Sequence, residues 1–171
     1  MKYLYTIIML LSLLSCKSSE PLTTVTNFNV DKYVGKWYEI GRFPNKFEKN
    51  LECVTADYQL KSNGKIAVTN SGQTPDGKIK TAKGTARVPD SEHPGQLKVT
   101  FFWPFSGDYY VIDIDDDYSV ALVGSPSRKF LWILARTKTI DNESYLALLQ
   151  KAKELNFDET RMIKINQDCS K

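Results

Sequence analysis

From Lys36 to Thr137 hydrophobic and polar positions alternate in short runs, broken at about every eighth to twelfth residue by turn formers, the pattern of an antiparallel all-β chain. The runs read as strands at 36–43, 52–61, 65–72, 78–88, 96–103, 108–114, 118–124 and 129–137. Asn63-Gly64 is a strong hairpin signal, because both central residues of a type I′ turn need positive φ. Pro75-Asp76-Gly77, Pro89-Asp90, Pro94-Gly95, Ser106-Gly107 and Ser125-Pro126 punctuate the rest. Eight such strands in meander order predict an up-and-down barrel wide enough for one small ligand. After Thr137 the period lengthens. Leu146, Leu149 and Ala152 share a helical face with Leu148 and Leu155 beside it, predicting a helix over 142–155. Asp141 is its expected N-cap and Asn156 its end. An extended piece at 161–166 follows.

Alternation also predicts which side chains enter the barrel. In the second strand Val54, Ala56, Tyr58 and Leu60 face inward, and Cys53, Asp57, Gln59 and Lys61 face out. In the fifth, Leu97, Val99, Phe101 and Trp103 oppose Lys98 and Thr100; in the sixth, Tyr110, Ile112 and Ile114 oppose Asp113 and Asp115. In the eighth, Phe130, Trp132, Leu134 and Arg136 share the inner face. Leu131, Ile133 and Ala135 make the outer face apolar too, so the Leu-lined helix is expected to pack there, outside the barrel. Small residues on the fourth strand (Ala82, Gly84, Ala86) are expected to leave room inside.

Composition narrows the function classes. The net charge of +3 is spread without a basic stripe, which argues against nucleic acid as a partner. Catalysis has little support. His93, the single histidine, sits in the turn Ser91-Glu92-His93-Pro94-Gly95; no nucleophile elbow, phosphate loop or metal-ligand spacing occurs. Asp113 and Asp115–Asp117 lack the Gly and distal Glu of a calcium loop and read as a solvated turn. No catalytic residue, metal or cofactor is expected. The N-terminus departs from the rest: Lys2 precedes an apolar stretch from Leu4 to Leu14, the length of a signal-peptide core and too short for a membrane span.

Leu13-Leu14-Ser15-Cys16 resembles the lipobox of bacterial lipoproteins. That resemblance implies a signal peptide over 1–15, an acylated Cys16 and a flexible tether over 16–26, leaving one domain over 27–171. Lys17 after the cysteine implies the outer membrane. With Cys16 taken by lipid, an exported chain is expected to pair its remaining Cys53 and Cys169.

The stretch NFNVDKYV (27–34), GKWYEI (35–40) and GRFPNKFEKNLECVTADYQL (41–60), with Lys61-Ser62-Asn63-Gly64-Lys65 after it, resembles the lipocalin family, its bacterial members and apolipoprotein D in particular. The resemblance implies a cup-shaped barrel with a helix outside. It also implies a disulfide from the second strand to the tail, and a plug in which Arg136 stacks on Trp37 at the closed end. Tyr58, Asn70, Tyr110 and Trp132 match positions that line the ligand pocket, and Phe101 joins them by parity. The expected function is to bind and carry a small hydrophobic ligand, a fatty acid or lysophospholipid, at the outer membrane; a homodimer is left open. An envelope enzyme acting on a lipid or isoprenoid, and a ligand-free structural barrel, are the alternatives.

Overall fold

The computed structural model describes residues 20–169. The expectations for the signal peptide and for Cys16 lie outside the described residues. Strands β1 (Gly35–Arg42), β2 (Glu52–Leu60), β3 (Ile66–Gln73), β4 (Ile79–Arg87), β5 (Gln96–Phe102), β6 (Phe105–Ile114), β7 (Val120–Gly124) and β8 (Leu131–Ala135) each pair antiparallel with the next. β8 pairs back onto β1 and β1 onto β2, which closes the sheet. A two-residue strand β9 (Ile163–Lys164) pairs with β1 at Gly41 and Arg42. The connections 43–51, 74–78, 103–104 and 125–130 lie at one end, the mouth; 61–65, 88–95 and 115–119 lie at the other, the base.

Two apolar layers hold the molecule. The inner layer fills the barrel with Trp37, Ala56, Tyr58, Ile66, Val68, Ala86, Leu97, Val111, Val123 and Leu134. The outer layer, Ile40, Ile112, Leu122, Leu131, Ile133 and Ala135, is covered by helix α2 (Asn142–Glu154) through Tyr145, Leu148 and Ala152. The covering face differs from the expected one: Leu146 is exposed, because Tyr145, Leu148 and Ala152 make the i, i+3, i+7 stripe. The Asp141 carboxylate accepts the Ser144 N–H at 2.8 Å as the cap, and Asn156, at φ 64°, ends the helix.

Several strands carry a β-bulge, an extra residue that resets the inward/outward alternation. Bulges fall at Ile40 in β1, beside Cys53 in β2, between Val99 and Phe102 in β5, and at Ile112 in β6. They move Trp103 out of the barrel to the exposed mouth turn. Cys53 is joined to Cys169, 116 residues away, with Cα atoms 6.2 Å apart, and its N–H donates to the Asn166 carbonyl at 2.8 Å. Gln167 is buried and donates to the carbonyls of Glu39 and Val54, so the tail is stitched to the mouth end of β1 and β2. A short helix the alternation did not signal, α1 (Val30–Tyr33), crosses the base and is capped by Asn29. Within the expected tether, 16–26, two described residues belong to the fold: Leu22 is buried in the outer layer, and the Val25 N–H donates to the Val111 carbonyl.

Candidate functional site

The base is closed by aromatic packing and one cation. Trp37, fully buried on β1, donates from its indole N–H to the Tyr33 carbonyl at 2.8 Å. The Arg136 guanidinium stacks over the Trp37 ring at 4.0 Å. Its N–H groups donate to the carbonyls of Lys32, Tyr33, Val34, Lys36 and Tyr118. Three of these are carbonyls at the end of α1, groups that no helix can satisfy internally; Arg136 therefore caps α1 and roofs Trp37 with one group. Phe28 and Tyr118 complete the layer, and the Tyr118 hydroxyl donates to the Asn27 carbonyl while accepting the Asn29 N–H. The acidic turn before Tyr118 is a structural one, its Asp115 accepting from the N–H groups of Ser119 and Val120.

Above the plug three phenols meet. The Tyr109 hydroxyl lies 2.6 Å from that of Tyr33 and 2.8 Å from that of Tyr58. Burial pushes all three up, Tyr58 to about 12, so they are neutral hydrogen-bonding groups at any physiological pH. The room expected beside Gly84 is taken by the Phe101 ring: a Cβ at Gly84 would lie 2.8 Å from it. The buried carboxyl–guanidinium pair of the interior lies nearer the mouth.

There the character changes. The bulge at Ile40 turns both Glu39 and Arg42 inward, and both are buried. Arg42 donates to Glu39 Oε1 at 2.5 Å and to the carbonyls of Glu48 and Leu51, which draws the loop 43–51 down onto the barrel. Trp132 donates from its indole to Glu48 Oε2 at 3.1 Å, and Asn45 donates to the same oxygen. Burial first, then the nearby Glu48 carboxylate, pushes the Glu39 carboxyl well above the usual carboxylate range, against the pull of Arg42. Two buried polar atoms here have no hydrogen-bond partner among the described residues: Arg42 Nε, a donor, and Asn70 Oδ1, an acceptor. Asn70 pairs with the inward Ala56 and so faces the same interior.

Of the residues expected to line a pocket, Tyr58, Phe101 and Trp132 pack with the inner layer, and Asn70 shares that face. Tyr110 does not. It packs in the outer layer, opposite Gly124, whose own outward face abuts Phe157. Counting back by twos from the inward Ile114 crosses the bulge at Ile112 and lands on the wrong tyrosine; the inward one is Tyr109. Arg42 and Glu48 were not foreseen either. A charged residue in an alternating strand ordinarily marks the wet face, and only the stretch Glu39-Ile40-Gly41-Arg42, with its apolar bulge residue, hints otherwise. A surface cleft of about 450 Å³ lined by Ile40, Tyr145, Lys164 and Gln167 lies outside the barrel and shares none of these groups.

A closed eight-stranded barrel with one end plugged, polar groups held toward the other and a helix outside is a lipocalin architecture. The lipocalin-like domain family matches residues 28–167, and the chain belongs to that family. It is 42% identical over 160 residues to the outer membrane lipoprotein Blc of Escherichia coli K12, covering 91% of this chain and 90% of that one. It is 38% identical to Blc of Vibrio cholerae, covering 86% and 88%, and 34% identical to apolipoprotein D of Macaca fascicularis, covering 83% and 78%. Among solved structures, apocrustacyanin C1 superposes with a TM-score of 0.70 at 20% identity over 83% of this chain and 81% of its own. Insecticyanin of Manduca sexta gives 0.69 at 23%, over 85% and 84%. The structures speak for the fold; the sequence relatives make the chain a lipocalin-type binding protein of the bacterial envelope, located at the outer membrane.

Proposed function

We propose that the cup binds a fatty acid or lysophospholipid, and that acyl chains on Cys16 hold the protein on the membrane where such amphiphiles arise. The observation that carries this is the pair of buried polar atoms without a partner among the described residues, Arg42 Nε and Asn70 Oδ1, on the inner face of the barrel. A buried polar atom without a partner costs about 1–3 kcal/mol. An amphiphile with an acceptor for Arg42 and a donor for Asn70 removes that cost, while its chain leaves water at about 25 cal/mol per Å². A phosphoglycerol head, or a protonated carboxyl, supplies both groups. Loop 43–51, tied to Arg42 and Trp132 through Glu48, is the element that must yield on entry. Tyr58, Asn70, Phe101 and Trp132 form the wall on this reading, with Trp37 and Arg136 beneath it as structure. The chemistry is binding: neither Glu39 nor Glu48 stands beside a nucleophile, and we assign no catalytic role.

The test is twofold. Solvent extraction of purified protein followed by mass spectrometry should find a co-purified fatty acid or lysophospholipid. Titrating delipidated protein with lysophosphatidylethanolamine should change tryptophan emission saturably, near one ligand per barrel, and the change should largely vanish in Trp132→Phe. Failure to saturate below about 100 μM, or about −5.5 kcal/mol, with either a long-chain fatty acid or a lysophospholipid overturns the reading.

A further inference from the structure

Among the described residues the most exposed large hydrophobic side chains gather at one end, while Leu60, Leu146 and Ile163, less exposed, lie elsewhere. The five most exposed, Trp103 at 89%, Phe105 at 77%, Phe102 at 74%, Phe47 at 67% and Ile79 at 66%, all belong to the mouth: Phe47 to loop 43–51, Ile79 to the start of β4, and the others to the β5–β6 turn. Exposed apolar side chains gathered on the loops of one end mark an interaction site, and Trp and Phe over a charged fringe is the composition found at a membrane–water interface.

The charges agree. The mouth loops and their flanks carry Lys46, Lys49, Lys78, Lys80, Arg128 and Lys129 against Glu48, Glu52 and Asp76. The base connections hold Asp90, Glu92, Asp115, Asp116 and Asp117 against Lys61 and Lys65. A dipolar molecule of this sense turns its mouth toward an anionic lipid surface. The first described residue lies at the same end. The Glu20 carbonyl accepts from Arg128, in a mouth loop, and from there the segment descends the outer wall to Asn27 and Asn29, held by Tyr118 at the base. Four residue steps separate Glu20 from Cys16, a reach of at most about 14 Å.

From these three observations we propose that the mouth docks on the lipid bilayer, with Trp103, Phe102 and Phe105 in the interfacial region and the base pointing away. A ligand then passes between membrane and cup without crossing bulk water. The rim and its charges carry the docking by themselves; the anchoring reading supplies only the short reach, so the two can fail separately.

The experiment uses full-length protein, once with Cys16 native and once as Cys16→Ala, with vesicles of three parts phosphatidylethanolamine to one part phosphatidylglycerol carrying brominated acyl chains. Both forms should bind, the Cys16→Ala form more weakly and with a salt-dependent affinity. In both, the bromines should quench Trp103, as measured by the difference from Trp103→Phe. Phe102→Ser/Phe105→Ser keeps the reporter and alters only exposed side chains; it should lower vesicle partitioning of Cys16→Ala protein at least ten-fold. Bound native protein whose Trp103 is unquenched overturns the proposal, as does Cys16→Ala protein that shows no vesicle binding. Vesicle binding indifferent to Phe102→Ser/Phe105→Ser overturns it too. A dimer that the same double variant dissolves, with no vesicle binding, would instead assign the rim to a second copy of this chain. An unacylated Cys16 with vesicle binding intact would remove the anchor and leave the docking standing.

Discussion

The two ends of the barrel are built on opposite rules. At the base every strong polar group found is answered: Arg136 meets five carbonyls and an indole face, Trp37 meets Tyr33, and Tyr118 both donates and accepts. Toward the mouth a buried arginine and a half-buried asparagine each keep a buried atom unanswered among the described residues, burial and Glu48 push the Glu39 carboxyl above its ordinary range, and aromatic rings stand in water. A fold gains nothing in stability from the second arrangement. The contrast shows where stability is concentrated and where capacity to bind is kept, and mutations at the two ends should therefore separate stability from binding.

The largest effect is expected where the tail closes the mouth. Cys53→Ser opens a loop of 116 residues, which the chain-entropy model values at about 4–5 kcal/mol; urea denaturation should show a loss of several kcal/mol, matched by reduction of the native protein. A midpoint unmoved by either treatment would mean that the tail's hydrogen bonds from Asn166 and Gln167 suffice. Next comes Arg136→Ala, at about 3 kcal/mol. It removes a cation–π contact of about 0.5–2 kcal/mol and strands the carbonyls at the end of α1. Lysophospholipid affinity of the folded fraction should be unchanged. A variant as stable as the parent, or one that folds but binds weakly, would erase the distinction between the ends.

Asn70→Leu should do the reverse. It deletes the unpartnered acceptor for a side chain of similar volume, so stability should hold or rise by up to about 1 kcal/mol, while affinity for a lysophospholipid falls about five- to thirty-fold, or about 1–2 kcal/mol. Stability and affinity falling together would place Asn70 in the ordinary core.

The same contrast explains what the sequence could disclose. At the base the inner parity of Arg136 was legible, since no bulge comes between Trp132 and Arg136, while its stacking on Trp37 was implied by the lipocalin resemblance and not by the strand pattern. The Cys53–Cys169 bridge was legible from export and cysteine number. Elsewhere parity fails because each bulge resets a period of two. Ile112 hides Tyr109 behind Tyr110, Ile40 brings Glu39 and Arg42 inside together, and the irregular end of β5 throws Trp103 outward. Nothing in an alternation of apolar and polar letters marks the extra residue. The room beside Gly84 was misjudged for another reason: a glycine's space is vacant only if no neighbour leans into it, and Phe101 does. The helix α1 was missed because four residues, Val30–Tyr33, are too few to show a period.

The smallest expected effect tests the polar cluster itself. The Glu39 carboxyl is pushed above its ordinary value near 4.5 by burial and by Glu48, more than Arg42 pulls it down. A carboxyl whose folded pKa is raised binds its proton more tightly in the native than in the unfolded state. Its contribution to stability is thus full below about 4.5 and is lost as pH rises through the raised value. Measuring unfolding free energies of the native protein and Glu39→Gln at several pH values, and taking their difference, cancels every other titrating group. That difference should shift in favour of Glu39→Gln as pH rises above 4.5, whatever its absolute level, which also contains the cost of weakening Arg42's pairing. A difference that moves the other way would show that the 2.5 Å contact with Arg42 governs Glu39, making the two a satisfied ion pair. The unanswered chemistry of the mouth would then reduce to Asn70 and Arg42 Nε alone.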